Sequence, residues 1–145
     1  MPNATPETAR LAQELRRILG GMRRRLREQS APGDLSPSQS AVLIRLEQDG
    51  PATASALARA EGMRAQSMAP VVAGLECAGL LQAEADPADG RQKLYSVTAA
   101  CHELLRQRRE ARQDWLERTI AARLAPEEQA RLLEASALLA RIIAP

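Results

Sequence analysis

Phenylalanine is absent from the 145 residues, and Tyr95 and Trp115 are the single tyrosine and single tryptophan. The core of such a chain has to be built from Leu, Ile, Val and Ala. Strands favour aromatic and β-branched side chains, whereas Leu and Ala are strong helix formers, so the shortage predicts a mainly α fold. Hydrophobic residues make up 45% and charged residues 26%, which suits a buried core and is too apolar for disorder. The length fits one domain.

The same inventory narrows the function classes. Two cysteines, Cys77 and Cys101, make no disulfide framework, so a reducing cytoplasm is the expected setting. Met1-Pro2-Asn3-Ala4 lacks the basic-then-apolar layout of a secretion signal, and no apolar run approaches the ~20 residues of a membrane span. His102 is the only histidine, with no cluster of Cys, His and carboxylates at metal-ligand spacing. It also has no nucleophile motif near it. The expectation is therefore no catalytic residues, no metal, no cofactor and no membrane partner, and a protein that is not an enzyme.

Helical signals open and close the chain. Thr5-Pro6-Glu7 combines a capping hydroxyl, a proline at the first helical position and an early acid. Leu11, Leu15, Ile18, Met22 and Leu26 then form one helical stripe, within which Gly20-Gly21 is expected to mark a bend. The turn cluster Ser30-Ala31-Pro32-Gly33-Asp34 ends this helix. Ser36-Pro37-Ser38-Gln39 reads as a capping box, and Val42, Leu43 and Leu46 as an inward face stopped by Asp49-Gly50-Pro51. Thr53 caps a short helix that closes at Glu61-Gly62. A longer helix follows from Arg64, with Met68, Val71, Val72 and Leu75 as its buried set. Two helices joined by a glycine turn make a helix-turn-helix.

The period then changes. Leu80–Ala85 and Lys93–Thr98 flank the turn-rich run Asp86-Pro87-Ala88-Asp89-Gly90-Arg91-Gln92, predicting a hairpin directly after the helix-turn-helix, a wing. Thr98 caps a long helix carrying Leu104, Leu105, Trp115, Leu116, Ile120 and Leu124. Pro126 opens a last one with Leu132, Leu133, Leu139 and Ile143. The end helices are too poor in partners to bury their stripes alone, so a second copy of the chain is expected against them. A monomeric helical bundle is the alternative.

In order and spacing, these pieces resemble the MarR family of bacterial transcriptional regulators over nearly the whole chain. The resemblance is most specific at Asp86–Arg91, similar to the family's wing signature of acids followed by arginine. That run lies between Leu75-Glu76-Cys77-Ala78-Gly79-Leu80-Leu81 and Val97-Thr98. Leu35-Ser36 with Gln39, Leu57-Ala58 and the helix start Met63-Arg64-Ala65-Gln66-Ser67-Met68 also fit. The resemblance implies one winged helix-turn-helix domain over 1–145, with residues 1–34 and 99–145 as a helical dimerisation region and 36–98 as the DNA-binding region. It implies a homodimer facing one double-stranded operator, and a repressor released by a small phenolic or anionic effector.

A helix fits the ~12 Å major groove, where base pairs show distinct donor and acceptor patterns. Arg64, Gln66 and Ser67 can donate to base edges or phosphates there, and Ala65 can pack on a thymine methyl. Thr53 is placed to meet a phosphate, although capping alone explains it. Arg91 at the wing tip would enter the minor groove. Asp89, which DNA would repel, is read as fixing the wing.

Some features run against the pattern. Residues 36–98 hold five basic and seven acidic residues, whereas arginines dominate residues 1–35. A DNA-binding face is usually basic. Ala83 and Gly90 stand where relatives often carry arginine, and Pro70 is expected to kink or loosen the recognition helix. For an effector, Arg16 and Arg17 could pair with an anion beside Met22, Val42 and Leu46 as apolar wall. The plainer reading makes the arginines a solvated face and the apolar residues core. Few aromatic side chains are available for a ring ligand to stack on. Thiol-based redox sensing is a further alternative, but both cysteines read more simply as small buried hydrophobes. The acidic winged segment also suits a module that binds protein rather than DNA.

Overall fold

The computed structural model describes residues 5–29 and 35–145. The turn expected at Ser30–Asp34 and the reading of Met1–Ala4 lie outside the described residues. Six helices and three strands follow in the order α1 Pro6–Gln29, α2 Pro37–Asp49, β1 Ala52–Thr53, α3 Ala54–Ala60, α4 Ala65–Cys77, β2 Leu81–Ala85, β3 Lys93–Val97, α5 Ala99–Arg123 and α6 Pro126–Ile143. The fold is mainly α with a small winged sheet. Among the described residues no helix is long and apolar enough to cross a membrane.

Two compact units are formed, one by Pro32–Arg109 and one by Met1–Ala31 with Glu110–Pro145. The chain passes from one unit to the other within α5, between Arg109 and Glu110. Cys101 and Leu105, on the first turns of α5, belong to the core of the winged unit.

That core is aliphatic, as the composition predicts. Leu43, Leu57, Met68 and Leu75 are fully buried, each from a helix of the winged unit, and Leu81 and Tyr95 join them from the sheet. Truncating one such Leu to Ala costs about 2–5 kcal/mol, since the cavity closes only in part. Local chemistry sets the helix starts. Ser36 accepts from the Gln39 N–H at 3.1 Å while the Gln39 side chain accepts from the Ser36 N–H at 2.9 Å, the reciprocal capping box. Thr98 accepts from the Cys101 N–H and donates to the Gly79 carbonyl at 2.7 Å, tying the end of α4 to the start of α5.

The sheet has the order β1-β3-β2, antiparallel throughout. The hairpin pairs Leu81 with Val97 and Ala85 with Lys93. The third strand, β1, is too short to leave a period in the sequence; it pairs Ala52 with Tyr95 and Thr53 with Leu94. Two expected distortions do not interrupt their helices. Helix α1 runs unbroken through Gly20 and Gly21, and α4 continues through Pro70. Proline removes one backbone donor, but buried Met68, Val72 and Leu75 on either side of it hold α4 to the core.

The other unit is thinly packed. No residue of α1 or α6 is buried, and Leu11, Leu133 and Ile143 are 59%, 75% and 83% exposed. Exposed ion pairs three residues apart, Glu14 with Arg17 and Arg25 with Glu28, decorate α1.

Candidate nucleic-acid interface

Helices α3 and α4 are joined by a turn that closes on itself. The Met63 N–H donates to the Ala58 carbonyl at 2.8 Å, and Gly62 takes a φ of +63°, open to glycine at little cost. Arg64 caps α4 in extended conformation without a side-chain hydrogen bond to the helix. Arg64, Ala65, Gln66 and Ser67 are all exposed, and Met68 turns into the core. Beyond them the outward positions of α4 are small: Ala69, Pro70, Ala73 and Gly74. Groups able to read base edges are therefore concentrated in its first turn.

The wing loop is built by its own acids. Asp86 accepts from the Ala88 N–H at 3.0 Å, and Asp89 accepts from the Arg91 N–H at 3.1 Å. The Asp86 N–H donates to the Gln92 carbonyl at 3.0 Å, closing the base of the loop. The Arg91 side chain is exposed. Thr53 is engaged as a cap, its hydroxyl accepting from the Ala56 N–H at 3.2 Å and lying 3.2 Å from the Ser55 hydroxyl.

Ion pairing engages four of the seven acids of residues 36–98, Glu47, Asp49, Glu61 and Glu76. Arg45 pairs with Glu61 and Asp49, and Lys93 with Glu76 at 3.6 Å. Glu47 is held by Arg109 and lies 3.4 Å from His102. The Asp86 and Asp89 carboxylates receive backbone N–H groups of the wing. Arg59, Arg64 and Arg91 are exposed and in no ion pair among the described residues. Arg59 escaped the sequence reading because its place at the end of a seven-residue helix leaves no pattern.

Val42 and Leu46, named above as apolar wall for an effector, are 0% and 3% exposed and enclosed in the core of the winged unit. Arg17 and Met22 instead line a half-open cavity of about 300 Å³ with Ile18, Gly21, Arg25, Trp115, Thr119 and Arg123. Arg16 lies outside that set, in a second hollow along α1 with Ala9, Ala12, Gln13 and Arg17. The chain's one tryptophan is thus in the cavity wall, an aromatic surface that the composition had hidden. Arg17 is also hydrogen-bonded to Glu14, which raises its already high pKa.

The cysteines divide. Cys101 is fully buried, and its thiol is pushed up first by desolvation and then by the Glu47 charge. Cys77 is exposed at the end of α4, contrary to the buried role expected of it. The helix turns it away from the side that buries Leu75 and Val72.

Residues 35–93 match the model of the MarR family. A helix-turn-helix transcriptional regulator of Mycobacterium leprae is 40% identical over 108 residues, 74% of this chain and 76% of that protein. A crystal structure of a Pseudomonas aeruginosa protein described as a transcriptional regulator superposes with a TM-score of 0.79 at 34% identity, covering 95% of this chain and 96% of that one. A Staphylococcus aureus MepR variant bound to an oligodeoxyribonucleotide shares the fold, with a TM-score of 0.67 at 22% identity over 91% of this chain and 97% of its own. With a winged unit matching the family model and a relative this similar across three quarters of its length, the chain belongs to the MarR family.

Proposed function

We propose that the chain is a sequence-specific regulator of transcription, a homodimer whose two winged units engage one double-stranded operator arranged as an inverted repeat. The observation that carries this reading is the outward set on one unit: Arg64, Gln66 and Ser67 opening α4, and Arg91 on the wing. Exposed donors at a helix start suit the major groove, and an arginine on a hairpin suits a narrow minor groove. Ala65 adds a methyl-sized contact, Thr53 a cap close to the duplex, and Asp89 the support of the wing. A MarR-fold protein bound to an oligodeoxyribonucleotide supports the same use of the fold.

The homodimer rests on the uncovered apolar side chains of α1 and α6, among them Leu11, Leu133 and Ile143. Surface of this kind is rarely left to water, and a twofold pair covers it twice over. The regulator acts as a repressor released by a small phenolic or anionic effector. The cavity lined by Arg17, Met22, Arg25, Trp115 and Arg123 offers both cationic groups and an aromatic wall to such a compound.

Selection of binding sites from a random duplex library at near-physiological salt tests the reading. An inverted repeat with half-sites about one helical turn apart is the expected product. No enrichment from a protein that sediments as a dimer would transfer the winged surface to a protein partner. The recovered duplex then serves to screen effectors by release.

A further inference from the structure

The wing loop is tied to the helix-turn-helix at one side chain. The Ser55 hydroxyl on α3 donates to the Gln92 side-chain carbonyl at 2.8 Å, across 37 residues of sequence. The Gln92 amide nitrogen faces the second Asp89 oxygen at 3.5 Å. The Gln92 backbone N–H donates to the Asp89 carbonyl at 3.0 Å. Gln92 therefore holds the same aspartate whose first oxygen receives the Arg91 N–H.

Proton bookkeeping gives the chain one direction. A hydroxyl has a single proton. With the Ser55 proton given to Gln92, the Thr53 hydroxyl is the donor in its 3.2 Å pair with Ser55. Its lone pairs remain free to accept the Ala56 N–H. Donation thus runs from the cap of α3 through Ser55 to Gln92, and from the Gln92 amide to Asp89. The pairing of β1 with β3 fixes the stem of the hairpin at Tyr95 and Leu94. Beyond Lys93 no strand pairing reaches the loop, and the Ser55–Gln92 bond is what ties it to α3.

We infer that Gln92 is a positioning residue for DNA recognition: through Ser55 it holds the wing, and with it Arg91, at a set place relative to the helix-turn-helix. The inference deepens the DNA-binding reading and rests on it. A loop ordered before binding loses less conformational freedom on the duplex, and so binds its specific site more tightly. Loss of one exposed hydrogen bond of this type corresponds to about a three- to tenfold change.

The test uses Gln92→Ala, Ser55→Ala, the double variant and Ser55→Thr in the full-length protein. Backbone ¹⁵N relaxation of residues 88–92 is measured without DNA, and affinity is measured for the selected operator and for a scrambled duplex. Both alanine variants are expected to loosen the loop amides in the free protein. They should lose about three- to tenfold in operator affinity while binding the scrambled duplex unchanged. The double variant should lose no more than either single, and Ser55→Thr, which keeps the hydroxyl, should restore both readouts. Unchanged relaxation in both alanine variants would overturn the tie. So would additive losses, or equal losses on operator and scrambled duplex, which would place Gln92 directly on phosphate. Should the wild type select no duplex at all, the DNA reading fails, while the relaxation data still decide the tie.

Discussion

Arg109 on α5 grips the Glu47 carboxylate on α2 with both terminal guanidinium nitrogens, Nη1 at 2.9 Å from one oxygen and Nη2 at 3.3 Å from the other. Planar two-point contacts of this kind fix orientation as well as charge. His102, about two turns earlier on α5, lies 3.4 Å from the same carboxylate. Three groups thus lock the end of α2 to the first part of α5, within the winged unit.

The pair makes stability depend on acid. Arg109 first, and His102 after it, hold the Glu47 carboxyl below its ordinary 4.5. A depressed carboxylate contributes fully above its unfolded value, and the contribution disappears as pH falls through the lowered native value. Glu47→Gln should therefore cost about 0.5–1 kcal/mol in urea unfolding at neutral pH, the size expected for a pair with an exposed arginine. The difference from wild type should shrink as pH falls below 4.5. A difference that stays constant down to about pH 3 would assign the loss to packing instead.

The two thiols should behave oppositely. Cys101 is buried with its thiol pushed up, and Cys77 is exposed. A thiol reagent at mildly alkaline pH should label one cysteine per folded chain, mapped to Cys77 by peptide mass, and both after unfolding. Cys101→Ser should leave DNA affinity and any response to oxidant unchanged. Loss of an oxidant response in that variant would reinstate redox sensing at Cys101.

Arg91→Ala should weaken operator binding about tenfold and lower the slope of log affinity against log salt by roughly one, if the guanidinium sits among phosphates of the minor groove. Gln66→Ala should instead relax the preference at one base position, at about 1–3 kcal/mol, with the salt slope unchanged. Filter binding or fluorescence anisotropy across a salt series separates the two. An affinity indifferent to Arg91→Ala would remove the wing from the interface.

Gly62 turns the chain between α3 and α4 at φ +63°, and a Cβ built there meets nothing within 4 Å. The cost of Gly62→Ala is therefore backbone strain alone, about 1–2 kcal/mol. Gly62→Asn should recover part of it, because asparagine tolerates this region better. Urea unfolding with an unchanged slope is the check.

Features written within a few residues are legible in the sequence. The capping box at Ser36 and Gln39, the threonine cap at Thr98, the glycine turn at Gly62 and the hairpin around Asp86–Gln92 all depend on neighbours a few positions away. The inward faces of α2 and α4 follow from periodicity in the same way, with Val42, Leu43, Leu46, Met68, Val72 and Leu75 buried. Strand β1 is not legible, because two residues carry no period.

The order of the helices and of the hairpin, the aliphatic character of the core and the winged helix-turn-helix thus follow from the amino acids alone. Each of these is set by backbone preference and local hydrogen bonding. Which charges cancel and which stay open was instead settled by packing. Glu47 meets Arg109 across 62 residues, and Ser55 meets Gln92 across 37. Packing also enclosed Val42 and Leu46, turned Cys77 outward and placed Trp115 in the cavity wall. Contacts between residues so far apart have no local signature, because the energy that selects them arises only once their elements have been brought together.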